Sequence, residues 1–392
     1  MQEKIILLIK SVLCDEKINC ELSQTEIDEI LKIANQHQII PIILEGLHRL
    51  GYREKIDDVW INKAINLLMR DEHQLYALKK IQEKFSSTKI DFALLKGSSV
   101  KKLYPVSSWR LMGDVDILIN EENYDKIISA MSELEFIEKT ETNHELIWIK
   151  KPYLMVELHK KLIPSYNDDY YSYYRNAWSK FIKSDYNENF FLMKPEDEYI
   201  YLFTHLTKHY RDGGIGIRHI VDMWIYLEKH NDMKMDYVFE ELQKIKLLEF
   251  YHNIRDLIDV WFCGKPNTYI TEHLTQRIIE SGSYGIKEWC DKASAARAFA
   301  QADSVVQAKN KKYINLIFLP FDEMKKKYLI LKKIPLLLPI MWVVRWLDAI
   351  LFKRKNIKGY NKKISYINDE TVQAYNDELE LVGLSFNLKK DE

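Results

Sequence analysis

The stretch Leu94-Leu95-Lys96-Gly97-Ser98-Ser99, followed shortly by Arg110-Leu111-Met112-Gly113-Asp114-Val115-Asp116-Ile117-Leu118-Ile119, constrains this chain more than any other part of it. One apolar run ends in a turn of small residues. A second begins with two aspartates one residue apart. Side chains alternate between the faces of a strand, so Asp114 and Asp116 are expected to point the same way. Two carboxylates on one face, beside a small-residue loop, suit a divalent metal that carries a nucleoside triphosphate.

A third carboxylate falls within reach of the same sheet. Lys150-Lys151-Pro152 separates two apolar or alternating segments, residues 146–149 and 153–158, and reads as a return between strands. Glu157 is a lone charge inside the second segment. Burying an unpaired carboxylate is costly, so Glu157 needs a partner. A metal shared with Asp114 and Asp116 would serve. A salt bridge to Lys160 or Lys161 is the alternative.

The loop after Leu95 has its own logic. Gly97 lets a backbone approach a phosphate closely. Ser98 and Ser99 offer hydroxyl and backbone donors, and Val100-Lys101-Lys102-Leu103 would begin a helix whose N-terminus favours an anion. Lys96 and Arg110 are candidate phosphate cations. The plainer reading is a strand–turn–helix corner with solvated cations. The Gly-x-x-x-x-Gly-Lys spacing of a P-loop is absent.

In this order, Lys96-Gly97-Ser98, Tyr104-Pro105, Arg110, the Gly113-Asp114-Val115-Asp116 run and a later Glu157 resemble the polymerase-β-type nucleotidyltransferase superfamily. More closely, they resemble bacterial nucleotidyltransferase family proteins, over about residues 90–160. A looser likeness runs through Pro195-Glu196-Asp197 and His205-Leu206-Thr207-Lys208-His209. The resemblance implies an α+β fold: a small mixed-sheet nucleotidyltransferase core with N-terminal helices and a larger C-terminal helical region. It implies Mg²⁺- or Mn²⁺-dependent transfer of a nucleoside monophosphate from an NTP, ATP by default, to a hydroxyl-bearing acceptor, with pyrophosphate released. Asp114 and Asp116 would hold one ion and share a second with Glu157, which orients or deprotonates the acceptor. Small molecules, glycan precursors and RNA all qualify as acceptors; no DNA- or RNA-binding motif is visible. The alternative is a catalytically silent nucleotide-binding protein or membrane-proximal scaffold of the same fold.

Four segments are expected: N-terminal helices at 1–88, the α/β core at 89–163, a helical domain at 164–322, and a basic apolar segment at 323–392. Ser23-Gln24-Thr25-Glu26 fits a capping box, and residues 121–134 read as a helix. His205 and His209 sit at i and i+4, with Arg218 and Asp222 beyond a Gly-rich loop. They form either a packing cluster against the core or part of a pocket. The tyrosines Tyr166, Tyr170, Tyr171, Tyr173 and Tyr174 could stack on a base or sugar.

The net charge of −1 is no nucleic-acid signature. Four scattered cysteines and an N-terminus without a signal-peptide pattern fit a cytoplasmic protein. Residues 325–358 carry ten Lys or Arg and one acid, so the rest of the chain holds about −10. This basic segment surrounds a run too short to span a bilayer. It suits an anionic membrane surface, the inner face of the membrane, with Trp342 and Trp346 near the headgroups. The alternative is a helix buried against the core.

Overall fold

The computed structural model describes residues 1–152, 154–165, 167–283, 285–300, 302, 304–352 and 354–385. Tyr166, one of the candidate stacking tyrosines, lies outside the described residues. The chain forms two compact units, Met1–Tyr210 with Gly214–Tyr284, and Arg211–Gly213 with Gly285–Glu392.

The first unit is α+β. Helices Gln2–Leu13, Gln24–Gln36 and Ile40–Arg49 lead into a long helix, Asp58–Ser87. The second of these begins with the expected capping box: Ser23 accepts from the Glu26 amide, and the Glu26 carboxylate accepts from the Ser23 amide. Seven strands follow: β1 (Phe92–Leu94), β2 (Val115–Ile119), β3 (Ile137–Glu141), β4 (Glu145–Lys150), β5 (Leu154–His159), β6 (Phe181–Ser184) and β7 (Asn187–Met193). Their order is β3-β4-β5-β2-β1-β7-β6. The β2–β5 and β1–β7 pairs are parallel and the other four antiparallel, so the sheet is mixed.

Period-two alternation sorts the sheet into two chemistries. Val115, Ile117, Ile119, Leu146, Trp148, Val156 and Leu158 are buried in one core with Leu78, Ile81 and Phe85 of the long helix and with Ile127 and Met131 of helix Tyr124–Glu133. Phe92 packs edge-on against Phe85 at 5.7 Å and, tilted by 30°, against Phe190 of β7 at 5.2 Å. Each such aromatic pair adds about 0.5–1.5 kcal/mol beyond area burial. The intervening residues, Asp116 on β2, Glu157 and His159 on β5 and Glu145 on β4, therefore take the opposite face. The parallel register sets Asp116 beside Glu157, and the antiparallel register sets His159 beside Glu145.

The second unit is helical, with Lys287–Ala300, Val305–Ile317, Leu338–Phe352, Arg354–Ser365 and Asp369–Leu381. Ala295, Ala298, Ala308, Ile364 and Ile367 form a small core. Among the described residues no helix is long and apolar enough to cross a membrane. Trp342 and Trp346 are half-buried. Trp342 and Trp346 pack on Phe318 at 5.1 and 5.5 Å, and their indole N–H groups donate to the carbonyls of Leu319 and Ile317. A half-buried indole needs such an acceptor, and the preceding helix end supplies it. The outward face is aliphatic: Leu336, Ile340, Val343, Val344, Leu347 and Leu351 are all exposed and recur at helical spacing.

Candidate functional site

The polar face of the sheet borders a cavity of about 590 Å³. Asp114, Asp116, Glu157, Glu145, His144 and His159 line it from the sheet side. His205, Lys208 and His209 enter it from helix Pro195–Asp212, and Arg218, His219 and Asp222 from helix Ile217–Lys229. Asp116 lies within β2, whereas Asp114 stands one residue before it, in a bend whose Gly113 carbonyl accepts from Arg70 and Gln74. Asp116, Glu157 and His159 offer ligand atoms within 4.8 Å of one another.

The two central carboxylates are driven in opposite directions. Burial opposes ionisation of Asp116, yet Lys96 at 2.7 Å and His159 at 2.7 Å hold it well below the usual range. Glu157 is pushed up to about 7 by burial and then by the charges of Asp114 and Asp116. Asp114 is raised for the same reasons, burial first and Asp116 second. Burial and Lys96 lower His159, against the pull of Asp116, so its contact with Asp116 is a hydrogen bond from a neutral ring. The salt-bridge alternative for Glu157 finds no support in this geometry. Lys160 pairs with Glu141 at 2.8 Å and Lys161 donates to the Tyr171 hydroxyl at 3.3 Å.

The expected phosphate loop is built differently. The helix begins at Gly97, one turn earlier than anticipated, and Gly97–Val100 is a single turn continued by Lys101–Leu103. Positive φ falls on Lys96, at 50°, and not on Gly97. Lys96 and Gly97 line the cavity. Ser98 and Ser99 are buried, with the Ser98 hydroxyl against the Met112 sulfur at 3.9 Å and the Ser99 hydroxyl on the Lys96 carbonyl at 2.9 Å. Such back-bonding to the preceding turn is what serines do in a short helix.

Arg110 lines the same cavity and is paired there with Asp222. Its Nε and Nη2 grip both oxygens of Asp222, at 3.1 and 2.8 Å, and the Tyr104 hydroxyl donates to the same carboxylate at 2.7 Å. This buried fork explains the requirement for glycine at 97. A Cβ there would meet Arg110 Nη1 at 2.6 Å and Met112 Cγ at 3.3 Å. Gly97→Ala is therefore expected to destabilise the fold by about 1–3 kcal/mol, the usual cost of overpacking. Urea denaturation measures it, and an unchanged midpoint would show that Arg110 yields freely.

His205 and His209 approach at 3.1 Å between their Nε2 atoms, both held neutral by burial. Arg218 donates to the Gln38 side chain and to the Leu111 carbonyl. The cluster both packs and lines the cavity. Two residues of the site carried a signal in the sequence that the reading did not use. His159 follows Glu157 by two, hence on the same face of the strand. Lys208 lies between the two histidines; among the described residues its ammonium makes no ion pair, and burial and then Lys96 push it down to about 8.

Comparison with known proteins adds the following. A family model described as an uncharacterised nucleotidyltransferase matches residues 23–263. No curated protein matches. Among solved structures, the solution structure of the antibiotic-resistance factor ANT(2'')-Ia aligns with 47% of this chain and 94% of its own, at 9% identity and a TM-score of 0.33.

Proposed function

The chain belongs to the uncharacterised nucleotidyltransferase family, a transferase family, and from that premise we propose that Asp114, Asp116 and Glu157 form its reacting centre. The observation that carries this reading is the split pair on neighbouring strands, with Asp116 held ionised and Glu157 raised to about 7. Paired carboxylates pushed apart in this way are a signature of divided roles. The donor set fits a hard dication: carboxylate oxygens, in an excess of negative charge that raises Asp114 and Glu157. When bound by Asp114, Asp116 and Glu157, Mg²⁺ or Mn²⁺ supplies charge neutralisation at the triphosphate and acidifies the acceptor hydroxyl.

The chain's own residues do the rest. Glu157, beside Asp116 on the neighbouring strand, takes the proton from the acceptor hydroxyl. The bond from the acceptor oxygen to the α-phosphorus forms as the bond to the β-bridging oxygen breaks, and pyrophosphate leaves with that electron pair. Lys96, Lys208 and Arg218 line the same cavity and are the proposed phosphate cations. ATP is the proposed nucleotide, and the acceptor carries a free hydroxyl. Incubation with each NTP, Mg²⁺ and panels of small hydroxylated molecules, glycan precursors and RNA is expected to release pyrophosphate with one acceptor class. Mg²⁺ and ATP together should also raise the melting temperature more than either alone, by about 2.7 kcal/mol of added stability at a hundredfold excess over Kd. No nucleotide-dependent pyrophosphate release and no joint shift would remove the reading.

The exposed aliphatic stripe of helix Leu338–Phe352, flanked by basic residues, favours attachment to an anionic bilayer surface such as the inner face of the cell membrane. The stripe, rather than the tryptophans, makes the contact. The full chain is expected to co-sediment with anionic liposomes at low salt and to be released at high salt. Ile340→Glu with Leu347→Glu should abolish co-sedimentation. Salt-independent binding, or binding by the double variant, would assign the face to another partner.

A further inference from the structure

We propose that His144, Glu145 and His159 form a second metal site, for a transition-metal dication of the zinc type, distinct from the carboxylates of the reacting centre. Glu145 opens β4 with His144 just before it, and His159 closes β5. The antiparallel register pairs Glu145 with His159 and so gathers all three. Glu145 Oε2 lies 3.7 Å from His144 Nε2 and 3.7 Å from His159 Nδ1. One ligand atom from each of the three residues lies within 4.8 Å of the others. A tetrahedral ion with bonds of about 2.1 Å has ligand–ligand edges of about 3.4 Å. The three atoms thus stand near the positions an ion would draw them to. Two imidazoles and one carboxylate are a zinc donor set that leaves one position open, and nitrogen donors disfavour Mg²⁺ and Ca²⁺.

His159 supplies an independent argument. It is 2% exposed, and its Nδ1 is buried with no hydrogen-bond partner. Its Nε2 lies 2.7 Å from Asp116 Oδ1. An ionised carboxylate only accepts, so Nε2 carries the proton and Nδ1 of the neutral ring is a bare lone pair. That lone pair faces the Glu145 carboxylate with no proton between them. A cation there satisfies both.

The arrangement has a consequence for the neighbouring chemistry. Asp116, His159 and the ion form a carboxylate–histidine–metal relay, in which the carboxylate fixes the ring and its tautomer. An ion at Nδ1 makes Nε2–H a stronger donor to Asp116, which couples the second site to the first. Binding at the second site does not require that the first be active.

Titration of the chelator-stripped full chain with Co²⁺, under excess Mg²⁺, tests the site. One equivalent is expected to bind with the intense visible bands of a four- or five-coordinate, nitrogen-ligated ion, and Zn²⁺ should displace it. His144→Ala and Glu145→Gln should each weaken binding by at least about tenfold, with far-UV circular dichroism unchanged, while Asp114→Asn retains it. Weak octahedral bands or no binding in the wild-type chain would overturn the proposal. So would equal affinity in both variants, or a loss in Asp114→Asn matching theirs, which would place the ion among the carboxylates. If His144→Ala does not fold, Glu145→Gln and the wild-type spectrum still decide.

Discussion

Asp114→Asn and Asp116→Asn are both expected to lower nucleotide transfer by at least about a thousandfold, roughly 4 kcal/mol of transition-state stabilisation, while shifting stability in opposite directions. Asp114 is raised by burial and by Asp116, so its charge is a burden to the folded state. Asp116 is held down by Lys96 and His159 against burial. Removing the Asp116 charge leaves the Lys96 ammonium, 16% exposed in its side chain, without the carboxylate it touches. Asp114→Asn should therefore raise the melting temperature of the metal-free protein, and Asp116→Asn should lower it.

The pH dependence follows the same signs. A carboxyl raised on folding contributes stability below its unfolded pKa and loses it as pH rises through the folded one. For Glu157 that window runs from 4.5 to about 7. Glu157→Gln should thus stabilise the metal-free chain at pH 8, by at most about 3 kcal/mol at 1.36 kcal/mol per unit, and leave it unchanged at pH 4.5. Asp116, lowered on folding, contributes above its unfolded value of 3.8 and loses that contribution in acid. Thermal melts in chelator across this range measure all three variants. Parallel shifts for Asp114→Asn and Asp116→Asn, or full turnover by either, would contradict the assignment.

What could be read from the sequence divides along physical lines. Alternation in Val115-Asp116-Ile117 and Val156-Glu157-Leu158 is local, so it marks strands and a shared polar face without knowledge of the fold. The capping box at Ser23 and the return at Lys151-Pro152 are equally local. The pairing of Arg110 with Asp222, 112 residues apart, is not. No periodicity in either segment says that the cation is already matched, which is why Arg110 reads as free for phosphate. The β6–β7 hairpin eluded the reading for a related reason. Asn187-Glu188-Asn189 opens β7 with polar residues, and the strand is placed by Phe190 packing on Phe92. Trp342 and Trp346 look interfacial by composition, but the carbonyls that claim them end a helix more than twenty residues earlier.

The Arg110–Asp222 pair carries the largest expected effect on stability. Both groups are 7% exposed, and Asp222 receives three hydrogen bonds, two from Arg110 and one from Tyr104. Burial opposes the Asp222 charge, but Arg110 first and then Arg218 lower its pKa. Breaking a buried pair from one side strands a charge and costs about 3–5 kcal/mol. Arg110→Ala and Asp222→Ala are each expected to lose that much in urea denaturation. Asp222→Ala should also flatten the decline in stability as pH falls below 4, since a carboxylate with a lowered pKa loses its contribution there. Replacing both partners, as Arg110→Met with Asp222→Leu, removes both charges together and is expected to recover most of the loss. The double variant also separates the two roles open to Arg110. If Arg110 serves only to hold Asp222, the double variant keeps its KM for the nucleotide. If Arg110 binds phosphate, KM rises although stability has returned. Losses under about 1 kcal/mol in both single variants would mean that water reaches the pair and that helix Ile217–Lys229 is held in place by its apolar contacts alone.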